Sequence, residues 1–368
     1  MKAQYYARIG RSIAPILTSM SPASAVHAFS RGRAQTIKAL RGEVPRDTYT
    51  PGEDLQRQLW DLTFRAPLMN AAGMFKNGEC YELAWQQGAG GYLGGTGTWN
   101  QRDGKTINTI RHPFVLYQKS HAASNTLGLP NDGDERNAQR ASALERHAGM
   151  PIGWSVAASD TVPSEERMAR LIDGMRLYEK AGVDFLEVNE SCPNTDHDRS
   201  QDNALANNLS YIKEHFLDRL ERDFPVIVKF STDTSPEQIP ELLDLLFTTG
   251  YSGVNFGNTS LDYMAMREKI HPGDLALFDF YTATYAGGVS GRPLKESSLE
   301  LTARASDHLR MGGPSQEFHI IRTGGIESWK DIQESLDAGA SLCQWFSGYF
   351  EQLAETDQPY RQVFEARR

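Results

Sequence analysis

Eight short β-rich runs recur along this chain, with amphipathic helical segments between most of them. The runs lie at residues 67–72, 92–95, 152–156, 184–188, 226–230, 253–256, 318–322 and 342–346. Apolar residues at helical spacing fill residues 164–181, 209–222, 239–248, 296–310 and 328–338. Gly182, Gly250 and Gly339 stand where three of those helices should stop. The alternation predicts an α/β fold, a parallel (β/α)8 TIM barrel. Residues 99–150 are too long for a plain connection and read as an insertion over the top of the barrel.

The N-terminal region has a different character. Ile9, Ile13, Ile16, Leu17 and Met20 share one helical face. Ser21-Pro22 then reads as an N-cap followed by proline at the first helical position. A second amphipathic stretch carries Val26, Phe29, Ile37 and Leu40. Arg8, Arg11, Arg31, Arg33, Lys38 and Arg41 make the pair basic within an acidic chain. Such a pair can lie on a membrane surface through residues 1–41, at the cytoplasmic side, or cap its own domain. A polar linker with two prolines follows, which divides the chain into a helical extension, residues 1–50, and a barrel, residues 51–368.

A net charge of -9 argues against general nucleic-acid binding, and no apolar run reaches transmembrane length. Three cysteines, Cys80, Cys192 and Cys343, suit free thiols in a reducing compartment and form neither a disulfide framework nor a metal site.

In a barrel, the residues just after each strand converge at one mouth. After the first strand, Ala71-Ala72-Gly73-Met74-Phe75-Lys76-Asn77-Gly78 lets a flat group approach the backbone and supplies a cation at Lys76. The second is followed by Gly94-Gly95-Thr96-Gly97-Thr98 and the fourth by Asn189-Glu190-Ser191-Cys192-Pro193-Asn194-Thr195. Cys192 is the one nucleophile or base in that cluster. Lys229 ends the fifth run, where an unpaired buried ammonium would be costly. The sixth is followed by Gly257-Asn258-Thr259-Ser260. Each feature alone has a plain structural explanation, as turn glycine, snorkelling lysine, turn-capping asparagine or packed thiol. Polar residues after five strands in series argue for a site. Gly324-Gly325 and Ser347-Gly348, after the last two strands, fall where such barrels bind phosphate, and the 287–292 loop could add further amides. A phosphate site, two lysines and several amide side chains suit flavin mononucleotide (FMN).

These motifs, from about Tyr5 to Phe350, resemble the dihydroorotate dehydrogenase family. The resemblance rests on the Ala71–Glu79 block, on Ser124-Asn125-Thr126-Leu127-Gly128-Leu129-Pro130-Asn131, on residues 189–195, on residues 287–294 and on Gly339-Ala340-Ser341 onward. It implies that Asn125, Asn189, Asn194 and Asn258 hold orotate, with Lys76, Leu127, Gly128 and Thr259 as further substrate contacts. It implies flavin contacts at Ala72, Gly73, Lys76, Thr96, Ser155, Asn189, Lys229, Gly257, Gly291, Gly325, Phe346 and Ser347, and Cys192 as general base. Dihydroorotate would lose a proton from C5 to Cys192 and a hydride from C6. The N-terminal helices, the Lys76 motif and the Gly95-Thr96 turn resemble the membrane-bound, quinone-using class. Cys192, Ser155 and the 127–131 block resemble the soluble class. The stretch His112-Pro113-Phe114-Val115-Leu116-Tyr117 lacks the two arginines that the quinone-using class carries there. Quinone is the expected acceptor and fumarate the rival. A barrel acting on another dihydropyrimidine, and a non-catalytic flavin-binding relative, are the alternatives.

Overall fold

The structure is a computed structural model that describes residues 2–44, 47–190 and 199–367, with the backbone alone for residues 199–203. Eight parallel strands form the central sheet: β1 (Leu68–Asn70), β2 (Tyr92–Gly97), β3 (Ile152–Val156), β4 (Phe185–Asn189), β5 (Val226–Phe230), β6 (Gly253–Phe256), β7 (His319–Thr323) and β8 (Leu342–Trp345). All eight coincide with the sequence runs to within two residues at each end. Their order is β1-β8-β7-β6-β5-β4-β3-β2, which curls the sheet until β1 and β2 meet. That seam has no continuous ladder. The Asn70 side chain bridges it, its Nδ2 donating to the Leu93 carbonyl at 2.7 Å and its Oδ1 accepting from the Leu93 N–H at 3.2 Å. Just above, Gly73 N–H donates to Gly95 O at 2.8 Å and Gly95 N–H to Lys76 O at 3.0 Å.

The bottom of the barrel is plugged by a hairpin, Arg57–Leu59 with Leu62–Phe64, that the sequence runs do not show. Its turn places Trp60 and Asp61 at φ 54° and 59°, a conformation usually marked by Asn-Gly or Asp-Gly. Leu59 and Phe64 pack there with Met69, Leu93, Phe185, Ile227, Ile321 and Leu342 in an apolar layer. Around the barrel, helices Arg167–Lys180, Ile239–Thr249, Lys295–Gly312 and Trp329–Asp337 match expectation. Helix Arg199–His215 starts earlier and ends sooner than the expected 209–222. Leu205, Leu209, Ile212 and Phe216 bury one continuous stripe that reaches a turn further back.

The insertion supplies strands Phe114–Tyr117 and Ala122–Asn125, which pair with Gly288–Gly291 in a small antiparallel sheet. Residues 288–291 of the expected 287–292 amide loop are therefore the edge strand of that sheet, with Gly291 on the cavity side. At the N-terminus, α1 (Ala3–Ser19) and α2 (Pro22–Arg41) form a hairpin. Ser21 caps α2 by accepting from Ser24 N–H at 3.4 Å, with Pro22 at the first position. Ala14, Val26 and Phe29 join a second core with Val115, Tyr117 and Tyr281, so the pair does cap the domain. One face of α1 stays outside: Tyr5, Ile9, Ile13, Ile16 and Met20 are all exposed. Among the described residues no helix is long and apolar enough to cross a membrane.

Candidate active site

The carboxyl ends of the strands enclose a cavity of about 380 Å³. Its wall contains Ala72, Gly73, Lys76, Thr96, Asn125, Leu127, Gly128, Asn189, Lys229, Gly257, Asn258, Thr259, Gly291, Gly325, Phe346 and Ser347. These are all but three of the residues singled out from sequence. Cys192 and Asn194 lie outside the described residues. Ser155 is fully buried and off the wall; it stands behind Thr96, whose hydroxyl lies 3.0 Å from its own.

The polar wall is internally ordered. Asn258 Nδ2 donates to Asn189 Oδ1 at 3.0 Å, and Asn189 Nδ2 donates to Thr96 Oγ1 at 3.3 Å. Asn258 Oδ1 also accepts the Thr259 N–H at 3.0 Å, which fixes that side-chain amide's orientation. The Gly95–Thr96 peptide bond is cis. Lys76 is packed on its wall so that burial, and then the Arg33 guanidinium, lower its ammonium to about 8, opposed by Glu79. The second cation, Lys229, is 4% exposed, and its Nζ lies 3.6 Å from Oε1 of Glu187.

The phosphate end is built by backbone. Helix α3 (Ser347–Glu355) has no side-chain cap, so its first N–H groups are free to meet an anion. Gly325, at φ 69°, lies so close to the helix after the Gly288–Gly291 strand that an added Cβ would stand 2.6 Å from Lys295 Cα. Beneath this loop is Arg322, fully buried and unmarked in the sequence reading. It donates to Gly324 O at 3.1 Å, Lys295 O at 2.9 Å and Ser335 Oγ at 2.6 Å. All its hydrogen-bond acceptors are neutral, so it ties the loops together while leaving net positive charge under them.

A second cavity, about 160 Å³ and mainly apolar, lies between the helical pair and the barrel. Tyr6, Ala14, Phe29, Phe114, Leu116 and Phe350 are among its wall residues. The two cavities share Asn125, Leu127, Ser290, Phe346 and Ser347. Arg33 of α2 reaches this second wall, with its guanidinium 5.8 Å from the Phe114 ring centroid. Burial lowers it to about 10, and among the described residues it makes no ion pair. Sequence reading counted Arg33 only as one of six basic residues, because nothing local marks which helical face turns inward.

The polar cavity can hold a flat anionic ring system against two lysines and three amides. Its other end fits a phosphate, and the apolar cavity opens towards its edge. Comparison with known proteins agrees with this chemistry. A family model described as dihydroorotate dehydrogenase matches residues 54–362. "Dihydroorotate dehydrogenase (quinone)" of Pectobacterium atrosepticum is 31% identical over 333 residues, covering 87% of this chain and 91% of its own length. The protein of the same name from Mycolicibacterium smegmatis is 31% identical over 336 residues, covering 90% and 87%. The ferulenol complex of the Eimeria tenella enzyme shares the fold with a TM-score of 0.73 at 22% identity, covering 91% of this chain and 89% of that one.

Proposed function

The chain belongs to the dihydroorotate dehydrogenase family, and from that premise we propose that it oxidises dihydroorotate to orotate with bound FMN, passing the electrons to a quinone. One observation carries the reading: the polar cavity with its paired lysines shares a wall with the apolar cavity under α1 and α2. Substrate and acceptor would thereby approach a bound FMN from different cavities.

In this reading Asn125, Asn189, Asn194 and Asn258 orient the dihydroorotate ring, with Thr259 beside them. Lys76 faces its carboxylate, and Leu127 and Gly128 close over the ring. Cys192 removes the C5 proton as general base; a free thiol titrates at about 8.5, so mildly alkaline conditions favour it. Bound FMN supplies the acceptor for the C6 hydride and the relay to quinone. Lys229 would hold the pyrimidine end of FMN when it is bound. Ala72, Gly73, Thr96 and Gly257 would line the FMN site, and Gly291, Gly325, Phe346, Ser347 and the α3 N-terminus would hold its phosphate. Ser155 acts by holding Thr96. On the acceptor side, Arg33 provides the guanidinium that the 112–117 stretch lacks, placed to receive a quinone carbonyl. The barrel, residues 51–368, thus carries the chemistry, and the extension, residues 1–50, carries the acceptor tunnel. The exposed Tyr5, Ile9, Ile13, Ile16 and Met20 face rests on the cytoplasmic surface of the membrane, where quinone dissolves.

The test is turnover of dihydroorotate by the purified yellow protein with quinone, fumarate and NAD compared side by side. Orotate formation should be fastest with quinone and rise further with anionic vesicles. A flavin-replete protein that dihydroorotate fails to bleach would overturn the substrate assignment, and preference for fumarate would overturn the acceptor.

A further inference from the structure

A layer of polar side chains crosses the barrel interior just beneath the cavity, and nothing in the reaction above accounts for it. Glu187 on β4, Asn255 on β6 and Gln344 on β8 are each 0% exposed, and Thr323 on β7 is 8% exposed. Asn255 Nδ2 donates to Glu187 Oε2 at 2.8 Å, and Gln344 Nε2 donates to the same oxygen at 3.0 Å. The Thr323 hydroxyl lies 3.0 Å from Asn255 Oδ1 and 3.1 Å from Gln344 Oε1, which turns both amide N–H ends towards the carboxylate. Glu187 Oε1 is buried without a hydrogen bond. The cation facing it is Lys229, whose Nζ stands 3.6 Å away.

An ionised carboxylate in this position is expensive. Burying a charge pair costs several kcal/mol per ion in desolvation, and an apolar layer of similar volume is often as stable or more so. The layer directly below shows that apolar side chains can close this barrel, since Met69, Leu93, Phe185, Ile227, Ile321 and Leu342 do so. A polar layer one step higher is thus not needed to fill space. Its geometry is directed: two amides hold one carboxylate oxygen and leave the other facing Lys229. At 3.6 Å the pair attracts without a hydrogen bond, so the N–H groups of Lys229 stay free to turn into the cavity.

We propose that Glu187 is a positioning residue for Lys229, and that through Lys229 it moderates how strongly the site favours reduced flavin. The inference rests on the flavin reading above. The carboxylate holds the ammonium at the cavity floor and offsets part of its charge. Replacing Glu187 by Gln keeps the shape but leaves Lys229 uncompensated, which should stabilise the negatively charged reduced cofactor.

The experiment measures the two-electron midpoint potential of the flavin-loaded protein against a reference dye. Glu187→Gln should raise the reduced-to-oxidised ratio tenfold or more at a fixed dye potential, an upward shift of about 30 mV. Glu187→Asp, which retains the charge but draws it back, should move the ratio a few-fold in the same direction. In the Lys229→Met background the Glu187→Gln shift should fall below about threefold in ratio. An unchanged or lowered potential in Glu187→Gln would overturn the proposal, as would an equal shift in the Lys229→Met background. Should Glu187→Gln fail to accumulate, the Glu187→Asp measurement decides, and no shift there counts against it. A wild-type protein that retains no flavin would instead remove the flavin reading itself.

Discussion

Asn70→Leu is the sharpest test of how the barrel closes. The substitution keeps the branched shape and heavy-atom count and removes both polar atoms that span the β1–β2 seam. In wild type Asn70 is fully buried, and its amide satisfies the Leu93 carbonyl at 2.7 Å and the Leu93 N–H at 3.2 Å. Leu93 is also fully buried, so water does not replace either bond. Each buried backbone group left without a partner costs about 1–3 kcal/mol. Two such groups give a loss of roughly 2–6 kcal/mol. For a chain of this length that is a fall in Tm of about 3–8 °C, at about 1.3 °C per kcal/mol. The flavin-free protein should show the loss by thermal unfolding followed through tryptophan fluorescence. The holoprotein should also release flavin earlier, because the Gly73–Gly95 and Gly95–Lys76 bonds above the seam rest on the same closure. Asn70→Asp should be worse than Asn70→Leu, since it buries an ionisable group beside the Leu93 carbonyl. A fall in Tm under about 1.3 °C for Asn70→Leu, corresponding to about 1 kcal/mol, would refute the reasoning and mean that the seam is held by its loops alone.

Arg33→Ala should raise the quinone KM about tenfold, equivalent to about 1.4 kcal/mol, while flavin content and, well below pH 8, the dihydroorotate KM stay as they were; an unchanged quinone KM would remove Arg33 from the acceptor side. The Lys76 ammonium, lowered to about 8 by burial and Arg33, is charged below that pH and lost above it. Orotate affinity, read from the flavin absorbance change, should therefore weaken as pH rises through about 8, and Lys76→Met should abolish that dependence. Asp134 is raised to about 6 by burial, although Tyr178 donates to it. A raised carboxyl stabilises the fold while protonated, so this contribution is present below the unfolded value near 3.8 and is lost as pH rises through about 6. Relative to wild type, Asp134→Asn should gain roughly 2–3 kcal/mol between pH 4 and 7, measured by urea unfolding at each pH; parallel curves for the two proteins would disprove the linkage.

The barrel was legible because its signals are periodic. Each strand run is apolar enough to stand out, and glycines at helix ends mark where the helices stop. The hairpin at the barrel bottom was not legible, because Trp60 and Asp61 hold positive φ without the glycine that usually betrays such a turn. Residues 287–292 read as a loop because five of the six are Gly, Ser or Arg, yet pairing with Ala122–Asn125 makes most of them a strand. Local pattern cannot show a partner more than 150 residues away. The site divides in the same way. Residues placed by strand ends were found, since the topology alone assembles them at the mouth. Glu187 was hidden inside a run that reads as buried strand, and Asn70 inside another. Their importance comes from what faces them across the barrel.

The same division explains how motifs of two classes can coexist in one chain. Asn189 and Asn258 belong to barrel strand ends and line the polar cavity. Arg33, Phe29 and Tyr6 belong to the α1–α2 hairpin and face the apolar one. The two sets share the wall of Asn125, Leu127, Ser290, Phe346 and Ser347, and Arg33 and Lys76 also line one further cleft together. What couples the halves is electrostatic: Arg33 is the charged neighbour that most lowers Lys76. Loss of Arg33 should then shift the pH at which orotate affinity falls upward from about 8, even though Arg33 lies on the acceptor side. An orotate pH profile identical in wild type and Arg33→Ala would show that the two halves are independent in charge as well as in contact.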